Sequence, residues 1–309
     1  MAGKSGVCVL GIYNADLIFK ADRQPIMGET LLGSSFEIGA GGKGSNQAVS
    51  AARSGAKVTF ISKLGKDNFG DAALAMYARE GMTVLAEQVT DNSTGAAYIF
   101  VQNGTGSNAI IVVPGAAGTI TPADVERHAG AIRNAAVFVT QLEQPIPAAI
   151  RALEIAKAAG TTTILNTAPA APLDDAIFGL CDYVTPNESE ATGITGVAVT
   201  DVATARKAGD VLLEKGAGAA LITLGGQGAL LHTASASVHI PVFSVGKVVD
   251  TTGAGDAFNG GFAAALSRGE KPEAAARFGA AVAGISVTRP GAAASVPRLE
   301  ETRALLARS

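Results

Sequence analysis

The sequence predicts an α/β fold, a large doubly wound, mostly parallel sheet with helices on both faces plus a small β appendage. Three observations predict it. From Thr121 onward, helical segments alternate with short, continuously apolar runs, the pattern of parallel strands covered on both faces. The first third instead carries strands of mixed polarity over 16–22, 30–38 and 95–113, which suit a half-exposed sheet. No repeat or low-complexity linker divides the chain, so 1–309 reads as one domain.

Taken in order, 7–10 reads as a core strand and 17–21 as a half-exposed one. Beyond 30–38, the glycine run Gly39-Ala40-Gly41-Gly42-Lys43-Gly44 leads into a helix over 45–54, closed by Gly55. A strand over 57–62 precedes a helix over 69–80 that stops at Gly81, and 95–101 and 108–113 flank the turn signal Asn103-Gly104 as a hairpin. Thr121-Pro122-Ala123-Asp124 supplies a helix N-cap, a proline at the first helical position and an acid in the first turn. Strands over 136–142, 161–166, 183–186 and 219–224 then alternate with helices over 147–159 and 201–215. A β-rich patch, 229–249, is followed by Ala-rich helices over 254–267 and 272–288 and a last helix over 299–307.

Composition narrows the function. Hydrophobic residues make up 48% and charged ones 17%, below the usual charged share of about 25%, which excludes a disordered chain. A net charge of −3, a pI near 5.7 and the lack of any Lys/Arg-rich run argue against nucleic acid as a partner. Apolar stretches such as 109–113 fall far short of the roughly 18 residues of a membrane span, and 7–10 is too short for a signal-peptide core of about 7–15 residues. A cytoplasmic protein is expected. Cys8 and Cys181 lack C-x-x-C spacing and read as small core residues, and His128, His232 and His239 match no metal motif.

Phosphate-binding motifs come next in a glycine-rich chain, with 38 glycines among 309 residues. No G-x-x-x-x-G-K-[ST] occurs, which excludes a Walker P-loop. Gly39 to Gly44 fits G-x-G-x-x-G, but a dinucleotide site wants an acidic residue about 20 positions on, where Ser62-Lys63 stands. The same glycines also serve simply to turn the chain. The segment Asp250-Thr251-Thr252-Gly253-Ala254-Gly255-Asp256 says more: two glycines open a helix whose first turn holds an aspartate. Unpaired N–H groups at a helix N-terminus bind anions, and a carboxylate beside a transferring phosphoryl group can take the proton of an attacking hydroxyl. A simple helix-capping aspartate is the competing reading.

These motifs do not stand alone. Gly41-Gly42-Lys43-Gly44-Ser45-Asn46-Gln47-Ala48 and 250–256 are joined, in order, by Asn14-Ala15-Asp16, 65–70, Gln141-Leu142-Glu143, 185–190, 223–228 and 287–292. With these segments the chain resembles the ribokinase-like (PfkB) carbohydrate kinases over essentially its whole length. The resemblance implies a kinase that moves the γ-phosphoryl group of ATP to the 5-hydroxyl of D-ribose. Asp256 would be the base, with the N–H groups of Gly253, Ala254 and Gly255 holding phosphoryl charge. Asn14, Asp16, Gly42, Lys43, Asn46 and Glu143 would grip sugar hydroxyls, though a turn residue (Asp16) and a solvated charge (Lys43) are the plain alternatives. Asn187 would serve the nucleotide and Glu190 magnesium through water, or the two form only an N-cap and a surface acid. Thr223, Leu224, Gly225, Gly226, Gln227 and Gly228 would carry the nucleotide, with Gly255 at its phosphates and Ala280 near the adenine. Asp250, Thr252, Ser286, Arg289, Gly291 and Ser295 would surround potassium, several through backbone carbonyls. The family also implies a β lid from about 14–38 and 93–113, and a homodimer formed through it. Other specificities of the family (2-deoxyribose, fructose, a nucleoside) or a non-catalytic sugar sensor are the alternatives. Tyr13 and Tyr98 are departures that bear on the sugar pocket.

Overall fold

Residues 3–308, which the computed structural model describes, place their strands in two sheets of nine and four. In chain order the strands are β1 Val7–Leu10, β2 Asn14–Ala21, β3 Ser35–Gly41, β4 Val58–Gly65, β5 Thr83–Val89, β6 Thr94–Gln102, β7 Asn108–Gly115, β8 Val137–Thr140, β9 Thr162–Leu165, β10 Tyr183–Val184, β11 Ala220–Thr223, β12 Ala229–His232 and β13 Ser237–Ile240. The helices are α1 Lys43–Arg53, α2 Asn68–Arg79, α3 Pro122–Arg127, α4 Ala129–Asn134, α5 Ile146–Ala158, α6 Glu188–Thr195, α7 Val202–Glu214, α8 Ala254–Ser267, α9 Pro272–Ser286 and α10 Leu299–Leu306.

The large sheet has the order β13-β12-β11-β10-β9-β8-β1-β4-β5 and is parallel from β11 to β5, with β12 the antiparallel strand near one edge. Its central strands are apolar on both faces, and successive residues feed two cores. Val7 and Val9 pack with α1, α2, α8 and α9. Cys8 and Leu10 pack with α3 to α7. This two-sided burial is why β1 and β8 read as unbroken apolar runs.

Beyond α6, a helix absent from the expected elements, and the division of the helix begun at Thr121 into α3 and α4, three further stretches depart from them. β3 starts at Ser35, not at residue 30, and continues through Gly39-Ala40-Gly41, because those residues pair with Asp16, Ala15 and Asn14 of β2. β5 has no counterpart in the sequence reading: it is the edge of the large sheet, mostly half-buried, and β4 is the one strand that pairs with it. The strands after β11 end at Ile240, and 241–249 carries no regular structure, its valines lacking a partner strand.

The small sheet runs β3-β2-β6-β7. Its register gathers Phe36, Phe19 and Phe100 into one row and Ile38, Leu17, Tyr98 and Ile111 into the next, all on one face. Asn14 and Asp16 lie on the opposite face. In the large sheet, β1 and β8 are neighbours from which the chain winds in opposite directions. Ligands of open α/β sheets bind at such a switch point, beyond the carboxyl ends of the strands.

Tight helix contact brings the two halves of this region together. A Cβ on Gly260 of α8 would overlap Ser50 Cβ and Gln47 O of α1. Overpacking a fitted interface costs about 1–3 kcal/mol, so Gly260→Ala should lower stability by about 2 kcal/mol, read as a fall in the urea midpoint at unchanged slope.

Candidate active site

The segment 250–256 folds as its glycines require. Gly253 takes φ +72° as the N-cap of α8, and a Cβ there would press on Ala292, so both conformation and space demand glycine. The Ala254 N–H turns back to Thr251 O at 3.2 Å. The other first-turn N–H groups of α8 have no acceptor within the helix, and Gly253, Ala254 and Gly255 line a cleft with Lys43, Asn166, Asn187, Glu190 and Thr223.

Asp256 lies at the floor of that cleft, only 6% exposed. Two side-chain amides from α1 hold it: Asn46 Nδ2 donates to Oδ2 at 3.0 Å and Gln47 Nε2 to Oδ1 at 2.9 Å. Gln47 is in turn fixed from both sides, donating to Asn166 Oδ1 at 3.1 Å and accepting from Gln141 Nε2 at 2.7 Å. Asn166 donates to Thr185 O at 2.7 Å, Thr185 Oγ1 to Asn259 Oδ1 at 2.7 Å, and Asn259 Nδ2 to Gly255 O at 2.8 Å. The carboxyl ends of β8, β9 and β10 are thereby tied to the helix that carries Asp256. Gln47, Asn166 and Asn259 were not singled out from the sequence. The available signals were the place of Gln47 in the glycine-led segment and that of Asn259 one turn after Gly255.

Beyond Asp256 lie the residues matched to a sugar. Gly42 adopts φ +86°, and a Cβ there would strike Ile12 O, so the chain turns sharply from β3 into α1. The Lys43 N–H then donates to Glu143 Oε2 at 2.7 Å. Burial by itself would lower the Lys43 ammonium, but Asp256, Glu143 and Glu190 outweigh it and hold the pKa above its ordinary value. Glu143 is pushed up to about 7, first by burial and then by the negative charge of Asp256 and Asp16, against the opposing pull of Lys43. Burial raises Asp16 to about 6, and Gly41 leaves room beside its carboxyl. Asn14 Oδ1 and Asn46 Oδ1 are buried without hydrogen-bond partners. Such orphaned acceptors are costly unless a donor arrives, and a sugar hydroxyl is a donor.

Other predicted residues distribute unevenly. Asn187 and Glu190 both line the cleft and also form a capping box, Asn187 Oδ1 accepting from Glu190 N at 2.9 Å and Glu190 Oε2 from Asn187 N at 3.1 Å. Asn187 thus caps α6 as well as facing the cleft, but Glu190, only 6% exposed, is a buried acid and not a surface one. Thr223 reaches the cleft at the end of β11, and Gly225 to Gln227 make a short 3₁₀ turn beyond it. Gln227 Nε2 is engaged with Thr200 O at 3.0 Å, Gly226 has open space above it, and Gly228 is pressed against Ile240 O. The side chains of Leu224 and Ala280 are buried in the cores instead.

Around 250 and 291, Asp250 accepts from Thr252 N and Gly291 N, each at 2.9 Å, and against burial the Thr252 hydroxyl together with these N–H groups holds its carboxyl below the usual range. Ser286 and Ser295 are buried with hydroxyls turned to Ala283 O and Ala292 O, while the Arg289 side chain pairs with Glu301. The two tyrosines differ: burial and the nearby Asp16 carboxyl raise the Tyr13 phenol, so its ring lies close to the sugar-matched residues, whereas Tyr98 is on the opposite face of the small sheet. Tyr13 packs edge-on against Tyr77 in the core, and Tyr98 stacks on Phe19 on the far face of the small sheet.

Comparison with known proteins follows this geometry closely. The pfkB family carbohydrate kinase model matches residues 4–299. The chain is 41% identical to the ribokinase of Haemophilus influenzae over 95% of this chain and 96% of that protein. It is 38% identical to the deoxyribokinase of Salmonella typhi over 96% of each. Among solved structures, Arabidopsis thaliana ribokinase complexed with ribose and ATP matches with a TM-score of 0.91 at 30% identity, covering 98% of this chain and 99% of that one. A match of this extent, over the glycine turn that opens α8 and nearly all the rest, means that the chain belongs to the pfkB family of carbohydrate kinases.

Proposed function

We propose that this kinase transfers the γ-phosphoryl group of ATP to the 5-hydroxyl of D-ribose, giving ribose 5-phosphate. The observation that carries the reading is the set of buried, unpartnered oxygens on Asn14 and Asn46, placed with Asp16, Lys43 and Glu143 on the sugar side of Asp256. Donors and acceptors so arranged suit a polyol, and a site built to bond hydroxyls discriminates against sugars lacking them. The relatives named ribokinase support the same substrate. The deoxyribokinase relative makes 2-deoxyribose the second reading.

In the proposed reaction Asp256 accepts the proton of the primary hydroxyl as the oxygen–phosphorus bond forms and ADP leaves. Asn46 and Gln47 keep that carboxylate oriented, and Lys43 with the unpaired N–H groups at the start of α8 faces the charge that builds on the phosphoryl oxygens. Among the described residues no cluster of three or more His, Cys, Asp or Glu could cage a metal. The donor set fits magnesium carried by nucleotide phosphates and reached by Glu190 through water, where it would neutralise phosphate charge. Potassium would suit the Asp250 region, where a carboxyl held below the usual range is tied to the 286–295 stretch by the Gly291 N–H and by the Asp250 N–H on Val287 O. It would brace the glycine turn without touching sugar.

The small sheet acts in this reading as a lid that keeps water from the phosphoryl group. Its outward face leaves Phe36, Ile38 and Ile111 more than half exposed, and a second copy of the chain is the proposed cover, giving a homodimer. No described helix is long and apolar enough to cross a membrane. Cellular ATP and two unpaired, buried cysteines support a cytoplasmic setting.

ADP release should depend on D-ribose more than on 2-deoxyribose, fructose or a nucleoside, and should fall when potassium is replaced by tetramethylammonium. A preference for 2-deoxyribose would move the substrate and keep the mechanism. Asp256→Asn should lower kcat by about 10² or more with ATP affinity retained, whereas a near-normal rate would remove Asp256 from the chemistry. The sugar KM should fall as pH rises through about 6 and 7, where Asp16 and Glu143 ionise, and Glu143→Gln should abolish the upper step. Stability runs the opposite way: native carboxyls raised above their unfolded values hold protons longer, so the sugar-free enzyme should melt lower as pH rises toward 7.

A further inference from the structure

We propose that Arg53 is a positioning residue for phosphoryl transfer: from the far end of α1 it clamps the 291–296 segment that backs the phosphate-binding turn. Arg53 closes the helix whose opening turn carries Lys43 and Asn46. Its Nη1 donates to Ala293 O at 2.8 Å, to Val296 O at 3.0 Å and, more weakly, to Ala294 O at 3.4 Å. Its remaining edge is held by Glu80 at the end of α2, with Nη2 to Oε1 at 2.7 Å and Nε to the same oxygen at 3.1 Å. The Glu80 side chain is only 6% exposed and takes Arg298 on its other oxygen at 2.8 Å. A planar guanidinium, with donors on two edges, can hold backbone carbonyls and a carboxylate together, which an ammonium cannot do in the same geometry.

The clamped segment reaches the chemistry through two contacts. Ala292 sits where a Cβ on Gly253 would go, and the Gly291 N–H donates to Asp250 Oδ2 at 2.9 Å. Displacement of 291–296 therefore shifts both sides of the turn that opens α8. Because Arg53 belongs to α1, the clamp also fixes the distance between the sugar-binding end of that helix and the phosphate-binding end of α8. The inference rests on the assignment of 253–256 as the phosphoryl cradle.

The test uses the full chain with Arg53→Met and the milder Arg53→Lys, and Arg298→Gln as a control. Readouts are kcat, KM for ATP, ribose affinity by calorimetry and melting temperature. A misplacement of about 1 Å in a reacting geometry costs about 10²-fold, so kcat should fall by that order in Arg53→Met and by about tenfold in Arg53→Lys. KM for ATP should rise several-fold, ribose affinity should stay within about twofold, and Arg298→Gln should keep kcat because its guanidinium pairs with Glu80, is attracted by Glu301 and bonds none of the 291–296 carbonyls. A folded Arg53 variant with wild-type kcat and KM for ATP, altered only in melting temperature, overturns the proposal, as does a loss confined to ribose affinity. A wild-type protein with no kinase activity on any sugar would instead overturn the cradle assignment itself.

Discussion

A buried carboxylate at the positive end of a helix is the constraint on which the rest of the structure depends. Asp256 is almost without solvent, and its charge is matched by the amides of Asn46 and Gln47 and by the N-terminus of α8. None of these partners is near it in sequence except the helix itself, since Asn46 lies 210 positions away. The packing of α1 on α8 must therefore be close and fixed. Glycine at 260 allows that approach on one side, and the contact of Gly44 with Gly11 sets α1 against the end of β1 on the other.

Around the carboxylate, polar groups divide into a largely hydrogen-bonded floor and an open wall. The chain from Gln141 through Gln47, Asn166 and Thr185 to Asn259 is linked by hydrogen bonds at each step, with only Gln141 Oε1 in it left unpartnered, which stiffens the carboxyl ends of three strands. Toward the small sheet, Asn14 and Asn46 keep unpartnered oxygens, while Asp16 and Glu143 hold protons more tightly than ordinary carboxyls. Desolvation that costs stability in the empty protein is thus stored as readiness to bond hydroxyls. The same division separates the residues on the large sheet and its helices, where Asp256 is oriented, from Asn14 and Asp16 on the small sheet.

Much of this was legible in the sequence, for a local reason. Glycines at 253 and 255 before Asp256, Thr121 ahead of Pro122, and Asn187 three residues before Glu190 declare turns and helix starts through their own conformational preferences. The two-sided burial of the parallel strands was likewise visible as unbroken apolar runs. Less legible was any element that depends on a neighbour for its order. β5 exists because β4 lies beside it, and β3 absorbs a glycine run because β2 offers partners to those residues.

The sequence by itself determined the fold class, the helix-opening turn and the identity of its aspartate, because these follow from the periodicity and backbone freedom of adjacent residues. Only the tertiary structure decided that Gln47, Asn166 and Asn259 brace that aspartate, that Leu224 belongs to a core, and that Tyr98 turns away from the sugar side. It also decided that Arg53, an ordinary helix-ending cation in the sequence, grips a segment 240 positions away. The physical reason is the range of the interactions: turn and helix propensities act over three or four residues, whereas side-chain orientation and hydrogen-bond partners are set by which surfaces the packed sheet brings into contact.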